Sequence, residues 1–416
     1  MASTAAATTA GVLPLFLVGS QAVQLRAEFG FDLAAIGGLV AFGWIAASLA
    51  STPMGRLAER AGGGRALRTA ALINAVAMVL IAAVGRSWGV LVVLVVFGGL
   101  GNAMAQPAAN ILTARTIPLD RQGIAFGIKQ SAIPLATLLG GLAVPIITLA
   151  VGWRWTYVAG AALATLAALL VVTESPQAAA ADPAEPGAIG LVEAIEDAAA
   201  GGDVADRPVS GVLLEEPVAA WEPGRVARRR RPPLIVLAMG VGLGAAAAGA
   251  LSQFLVSGGV AAGLDEGAAG LLLSFGSAVG IASRLAVGAR ADRRPGDQLV
   301  TVVAMMAVGS IAYAALGIGV PAAYVLATPV AFGLGWAWPG LFNLSVVREY
   351  PEAPGAATGI TQTGTYLGAG LGPLLVGVVV DRWSFAVAWP VSAALLVSGA
   401  ALMLVGRRRV RRSATS

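Results

Sequence analysis

Residues 123–145 read GIAFGIKQSAIPLATLLGGLAVP, and residues 355–377 read GAATGITQTGTYLGAGLGPLLVG. One offset lays Gly123 on Gly355, Gly127 on Gly359, Gln130 on Gln362, Leu135 on Leu367 and Gly140 on Gly372. At almost the same offset Gly55–Arg60 recurs as Gly288–Arg293, Asn110 and Arg115 recur as Asn343 and Arg348, and Gly99–Gly101 recurs as Gly333–Gly335. Segments that repeat in one order at one spacing mean a duplicated unit. In an apolar chain, such parallel repeats point to two halves packed side by side in a membrane.

Composition supports the membrane setting. Of 416 residues, 57% are hydrophobic and 12% charged, and the mean hydropathy is +0.81. A soluble domain carries about twice that charged fraction. The absence of cysteine excludes disulfides and thiolate chemistry, and the absence of histidine removes the commonest metal ligand and proton shuttle. There is no Gly-x-Ser-x-Gly elbow, phosphate loop or paired carboxylate, so the sequence is expected to be neither an enzyme nor a cofactor protein. The net charge of +5 comes from arginines in short runs beside apolar stretches, a topology signal rather than a nucleic-acid surface.

Twelve apolar stretches are each long enough to cross the hydrocarbon core as a helix: 5–25, 34–54, 67–85, 88–112, 123–150, 154–173, 233–256, 266–288, 299–318, 321–346, 355–380 and 384–406. The first begins without the basic residues of a signal peptide, so it is read as a span. Most of the 27 basic residues fall in even-numbered loops and the tail, whereas odd-numbered loops hold only Arg26, Arg86, Arg154 and Arg382. That bias places both termini in the cytoplasm. Residues 1–173 and 233–416 then form two six-helix halves. Residues 174–232, which carry half of the chain's 22 acidic residues and end in Arg228–Arg231, form a cytoplasmic linker with room for a short helix at Leu191–Ala198.

This organisation resembles the major facilitator superfamily. The specific motif is Gly55-Arg-Leu-Ala-Glu59-Arg60-Ala-Gly-Gly-Gly-Arg65, similar to the family's loop signature after span 2 with glutamate in place of the usual aspartate; Gly288, Asp292 and Arg293 belong to its second copy after span 8. The resemblance implies an all-α integral membrane protein of two pseudo-symmetric six-helix halves. It also implies secondary transport by alternating access without a cofactor, and a latch at the cytoplasmic gate formed by Gly55, Glu59, Arg60, Arg65, Gly288, Asp292 and Arg293. In physical terms, the glycines admit close helix approach and the acids suit a neighbouring helix end. Gly364, Gly368 and Gly372, like Ala132, Ala136 and Gly140, form small-residue stripes on spans that lie between the halves in this family. Two features depart from its proton-linked members. The stretch Val92–Phe97 lacks their span-4 arginine, and no span has a carboxylate in its central part.

Two cations do fall inside spans, Lys129 and Arg284, each without a charged counterpart in the other repeat. An ionisable group at membrane depth costs at least ~2.5 kcal/mol and marks a functional site by default. With no acid nearby in sequence, an anionic ligand is the expected partner, although Arg284 has the alternatives of reaching the interface or pairing with Asp292. Gln130, Gln362, Gln21, Gln24, Asn343, Trp336 and Tyr366 are expected to line the same cavity, with helix packing and interfacial belts as competing roles for the tryptophans and Asn343. The expectation is a monomeric transporter of a small organic anion in a bacterial inner membrane, by proton symport or anion exchange. An efflux pump for apolar compounds and a transporter-like sensor that signals through the linker are the alternatives.

Overall fold

The computed structural model describes residues 2–116, 122–171, 231–293, 296–350 and 354–414; most of the linker, Arg121 and the side chains of Asn110 and Arg115 lie outside them. The first set of helices is α1 Ala2–Ser20, α2 Ala22–Phe29, α3 Leu33–Ala61, α4 Gly63–Val84, α5 Trp88–Thr116, α6 Gln122–Ala143 and α7 Trp153–Leu170. The second is α8 Arg231–Ala261, α9 Glu266–Arg293, α10 Gln298–Leu316, α11 Pro321–Val330, α12 Pro339–Glu349, α13 Pro354–Arg382 and α14 Phe385–Ala414. No strand occurs among the described residues. Among the described residues eleven segments are long and apolar enough to cross a membrane. The predicted span 154–173 corresponds to α7, 18 residues that open with Trp153-Arg154-Trp155. Leu49, Ile311 and Leu326 are 78%, 70% and 75% exposed, as expected of side chains that face hydrocarbon rather than water.

Three spans are not the continuous helices that their hydropathy predicts. The first breaks at Gln21 between α1 and α2. The fifth passes from α6 into a π turn at Val144–Thr148, where Pro145 cannot donate to the helix ladder. The tenth is α11, a π turn at Ala331–Gly335, a non-helical turn through Trp336–Trp338, and α12. Pro339 explains the last break. It has no N–H for the carbonyl of Gly335, and the Trp338 indole Nε1–H takes that carbonyl instead, at 2.9 Å.

The two sets meet along two seams, α3 against α13 and α6 against α9. Because α9 is the repeat counterpart of α3 and α13 that of α6, each seam pairs one repeat position with the other. Missing side chains bring the backbones together: a Cβ on Gly37 would lie 2.4 Å from the Pro373 carbonyl oxygen, and one on Gly377 2.5 Å from that of Leu33. The stripe Gly364, Gly368, Gly372 does not lie in a seam. It faces α8, with Gly368 so close that a Cβ would sit 1.9 Å from the Gly242 carbonyl oxygen. Gly140 likewise faces Ser20 and Leu17 within the first set. The stripes expected between the halves therefore bind each set internally, because α13 presents another face, with Gly370, Pro373 and Gly377, to α3.

Polar bonds tie the sets at both ends. At the end remote from the arginine-rich loops, Asp381 of α13 accepts from the backbone N–H groups of Leu33 and Ala34 at 3.1 and 2.6 Å, so it caps α3. Beside it Gln24 donates to Glu266 at 3.0 Å. At the arginine-bearing end, Asp292 of α9 accepts from the Ile124 N–H in the first turn of α6 at 2.9 Å. A carboxylate at a helix start satisfies an orphan donor and the helix dipole together.

Substitutions at two glycines separate packing from propensity. Gly368→Val should destabilise the protein by about 1–3 kcal/mol or more through overpacking, whereas Gly359→Ala, with nothing within 4 Å of the added Cβ, should leave the melting temperature equal or higher. A similar drop for both would refute the packing assignment. A pH test follows from Glu28, which accepts from Arg154 Nη1 at 2.9 Å and Trp153 Nε1 at 2.6 Å. The Arg154 hydrogen bond chiefly holds its carboxyl below the usual carboxylate range, against an opposing push from burial. A depressed folded-state value stabilises above the ordinary carboxylate pKa, and that contribution is lost as pH falls through the depressed value. Glu28→Gln should therefore lower the melting temperature at pH 7, and the gap from wild type should close below about pH 4.

Candidate functional site: the central cavity

The site is built around Arg284 of α9, which is 2% exposed. It neither reaches the interface nor pairs with Asp292. Its Nη1 donates to the backbone carbonyl of Gln130 in α6, and its Nη2 donates to the carbonyl of Trp336 at 2.6 Å. Sequence explains why both acceptors are available. In a regular helix the Gln130 carbonyl would take the N–H of residue 134, but residue 134 is proline and has none. Trp336 lies in the non-helical turn that interrupts the tenth span. The guanidinium thus collects carbonyls that one proline and one broken helix leave free, and the first of them belongs to the other set. The Trp336 ring also stands against it, at 5.3 Å from the guanidinium carbon. Among the described residues no carboxylate pairs with Arg284, and its Nε has no hydrogen-bond partner.

Arg284 borders a cavity of about 70 Å³ between the two sets. Gln130, Gln362, Asn343, Trp336 and Tyr366 line it too, so the fold brings together six of the nine residues proposed from sequence. Trp336 is buried and faces neither lipid nor an interface. Rings form a continuous wall across the seam: Tyr366 to Trp44 at 5.6 Å, Trp44 to Phe16 at 6.4 Å, and Phe16 to Trp336 at 6.2 Å between centroids.

Three proposed residues lie elsewhere. Gln21, fully buried where the first span breaks, accepts from Thr148 at 2.7 Å inside the first set. Gln24 is held by Glu266 at the remote end. Lys129 is half-buried and is not among the cavity's lining residues, because one residue along a helix turns the side chain by roughly 100° and Gln130 takes the inward position. Conversely, Gln106, Gln253, Trp44 and Phe16 line the cavity without having been singled out. Gln253 is 1% exposed and donates across the sets to the Leu15 carbonyl at 3.3 Å. An amide isolated inside the apolar run of α8 was the available signal.

A family model described as the Major Facilitator Superfamily matches residues 1–373. The chain belongs to that superfamily. Its members are membrane transporters, and the all-helical build with paired repeats agrees with their fold. No curated protein matches the sequence. In the superfamily's loop signature, Gly62 joins α3 to α4 at φ +83°, a conformation that glycine adopts without strain. A Cβ on Gly55 would lie 3.9 Å from the Pro107 ring, and Gly288 is buried. Glu59, Arg60, Arg65 and Arg293 are exposed, while Asp292 caps α6 and stands 3.9 Å from Arg348.

Removing the guanidinium strands two buried carbonyls at once. Arg284→Met should lower stability by roughly 1.5–3 kcal/mol, the range for hydrogen bonds to charged groups. Pro134→Ala returns an in-helix donor to Gln130, so it should reduce the further loss caused by Arg284→Met in a double-mutant cycle of thermal melts. Strict additivity would show that Gln130 does not depend on Arg284.

Proposed function

We propose that this superfamily member is a secondary transporter of a small organic anion, with Arg284 as the charge partner of the substrate. The observation that carries the reading is a guanidinium buried between the two helix sets, without a carboxylate among the described residues, with its Nε unpartnered, on a residue that lines a cavity. An anion is the ligand that best compensates such a charge. Residues 1–173 and 233–416 would rock about this site, exposing it to either side in turn without ATP. Asp292 on α6 would hold the cytoplasmic end, with Glu59 as its repeat counterpart, and Asp381 on α3 the external end. The arginine bias supports cytoplasmic termini and a bacterial inner membrane, and the linker joins the halves. Lys129, off the cavity wall, would attract or gate rather than ligate. Coupling would be to a proton carried on the substrate or to a second anion in exchange. The aromatic wall favours one second reading, efflux of apolar compounds, in which Arg284 serves only to join the sets.

Thermal stabilisation of the purified protein by a panel of organic anions, cations and neutral apolar compounds tests this, because a ligand of the folded state raises its melting temperature. Anions should stabilise wild type, lose that effect in Arg284→Gln and retain most of it in Lys129→Gln. Stabilisation by apolar or cationic compounds alone, unchanged in Arg284→Gln, would discard the anion reading in favour of efflux.

A further inference from the structure

The cavity also bounds what kind of anion it takes. We infer that its ligand is a monocarboxylate built on a single planar ring, a conclusion that rests on the anion reading above. Three observations converge on it. The first is charge. Among the described residues that line the cavity Arg284 is the one charged side chain, and its charge is already shared with the carbonyls of Gln130 and Trp336. One negative group balances that single charge; a second would stand unpaired in a buried site, where an uncompensated charge is strongly disfavoured. Dicarboxylates and phosphate dianions are thereby selected against.

The second is the wall. Phe16 and Trp44 from the first set interleave with Trp336 and Tyr366 from the second, and Trp44 and Tyr366 are tilted by only 31°. A wall of such rings accepts a flat apolar body laid against it, with offset or edge-to-face contacts. Trp336 serves both parts of the ligand, since its ring stands against the guanidinium and also belongs to the wall. A carboxylate beside the guanidinium therefore lies next to aromatic surface. The third is size. The cavity holds about 70 Å³, less than half of the roughly 150 Å³ that suffices for benzene in an apolar protein cavity. A single ring requires a modest parting of the two sets, whereas a fused polycycle requires far more. The surrounding amides, Gln130, Gln362, Gln106 and Asn343, supply neutral donors for the second carboxylate oxygen.

The test compares benzoate, acetate, phthalate and the neutral isostere benzamide as stabilisers of the full-length protein in detergent, with wild type and Trp44→Ala in parallel. Benzoate should half-saturate the shift in melting temperature at a concentration roughly tenfold or more below each of the other three. Trp44→Ala should narrow the gap between benzoate and acetate while leaving the response to acetate. Phthalate as effective as benzoate would overturn the single-charge argument, and acetate as effective would overturn the ring argument. Either of those results leaves the anion reading standing. Benzamide as effective as benzoate, or no response to any anion, would overturn both readings.

Discussion

A guanidinium held inside an apolar bundle without a carboxylate must find its acceptors in the backbone, and this requirement shapes the centre of the molecule. Helices ordinarily close every carbonyl on themselves. Arg284 can be accommodated because Pro134 leaves the Gln130 carbonyl open and because the tenth span gives up helical pairing around Trp336. The irregularities of α6 and of α11–α12 are therefore parts of one arrangement. Each provides a dipole where a charge would otherwise stand alone, and together they leave one donor, Nε, unpartnered on a residue that borders a small chamber.

Around that centre the packing divides by residue size. Glycine stripes bring α13 against α8 within the second set, and separate glycines bring α13 against α3 across the seam. One helix thus serves as the rigid interior of its own set and as a contact surface for the other. Among the described residues the bonds that cross between the sets are few and polar: Asp381 on α3, Asp292 on α6, Gln24 with Glu266, Gln253 with Leu15, Ser274 with Leu138 and Arg284 with Gln130. Apolar packing inside each set and sparse polar ties between sets suit bodies that move relative to one another.

The fold was largely legible in the sequence because its signals are long and redundant. Repeats in register, apolar runs of membrane length and an arginine bias do not depend on the orientation of any one side chain. The site was legible only in part. A lysine or arginine within a span is a conspicuous signal, yet Lys129 and Gln130 are adjacent, and sequence does not say which of the two turns inward. The partners of Arg284 were harder still to read, because a carbonyl belongs to every residue type. Only the proline four places after Gln130 and the glycine–proline pattern from Gly333 to Pro339 hinted that carbonyls would be free there. Gln253 and Trp44 were hidden for another reason: an amide or a ring in an apolar span has packing roles that look the same in sequence.

If the two sets rock as proposed, the capping of α3 by Asp381 and of α6 by Asp292 has a consequence for how the ends of the molecule would part. A carboxylate drawn away from a helix start exposes backbone N–H groups, which in a dry interior would be left orphaned. Here those groups lie at the rims, so the movement that removes the carboxylate also admits water to take its place. The solvent acts as a substitute acceptor on the side that opens, and the exchange is close to even in hydrogen bonds. In that motion the barrier to parting would be set more by the dry contacts behind the caps than by the caps themselves, and the carboxylates would serve chiefly to define the register in which the two sets meet again.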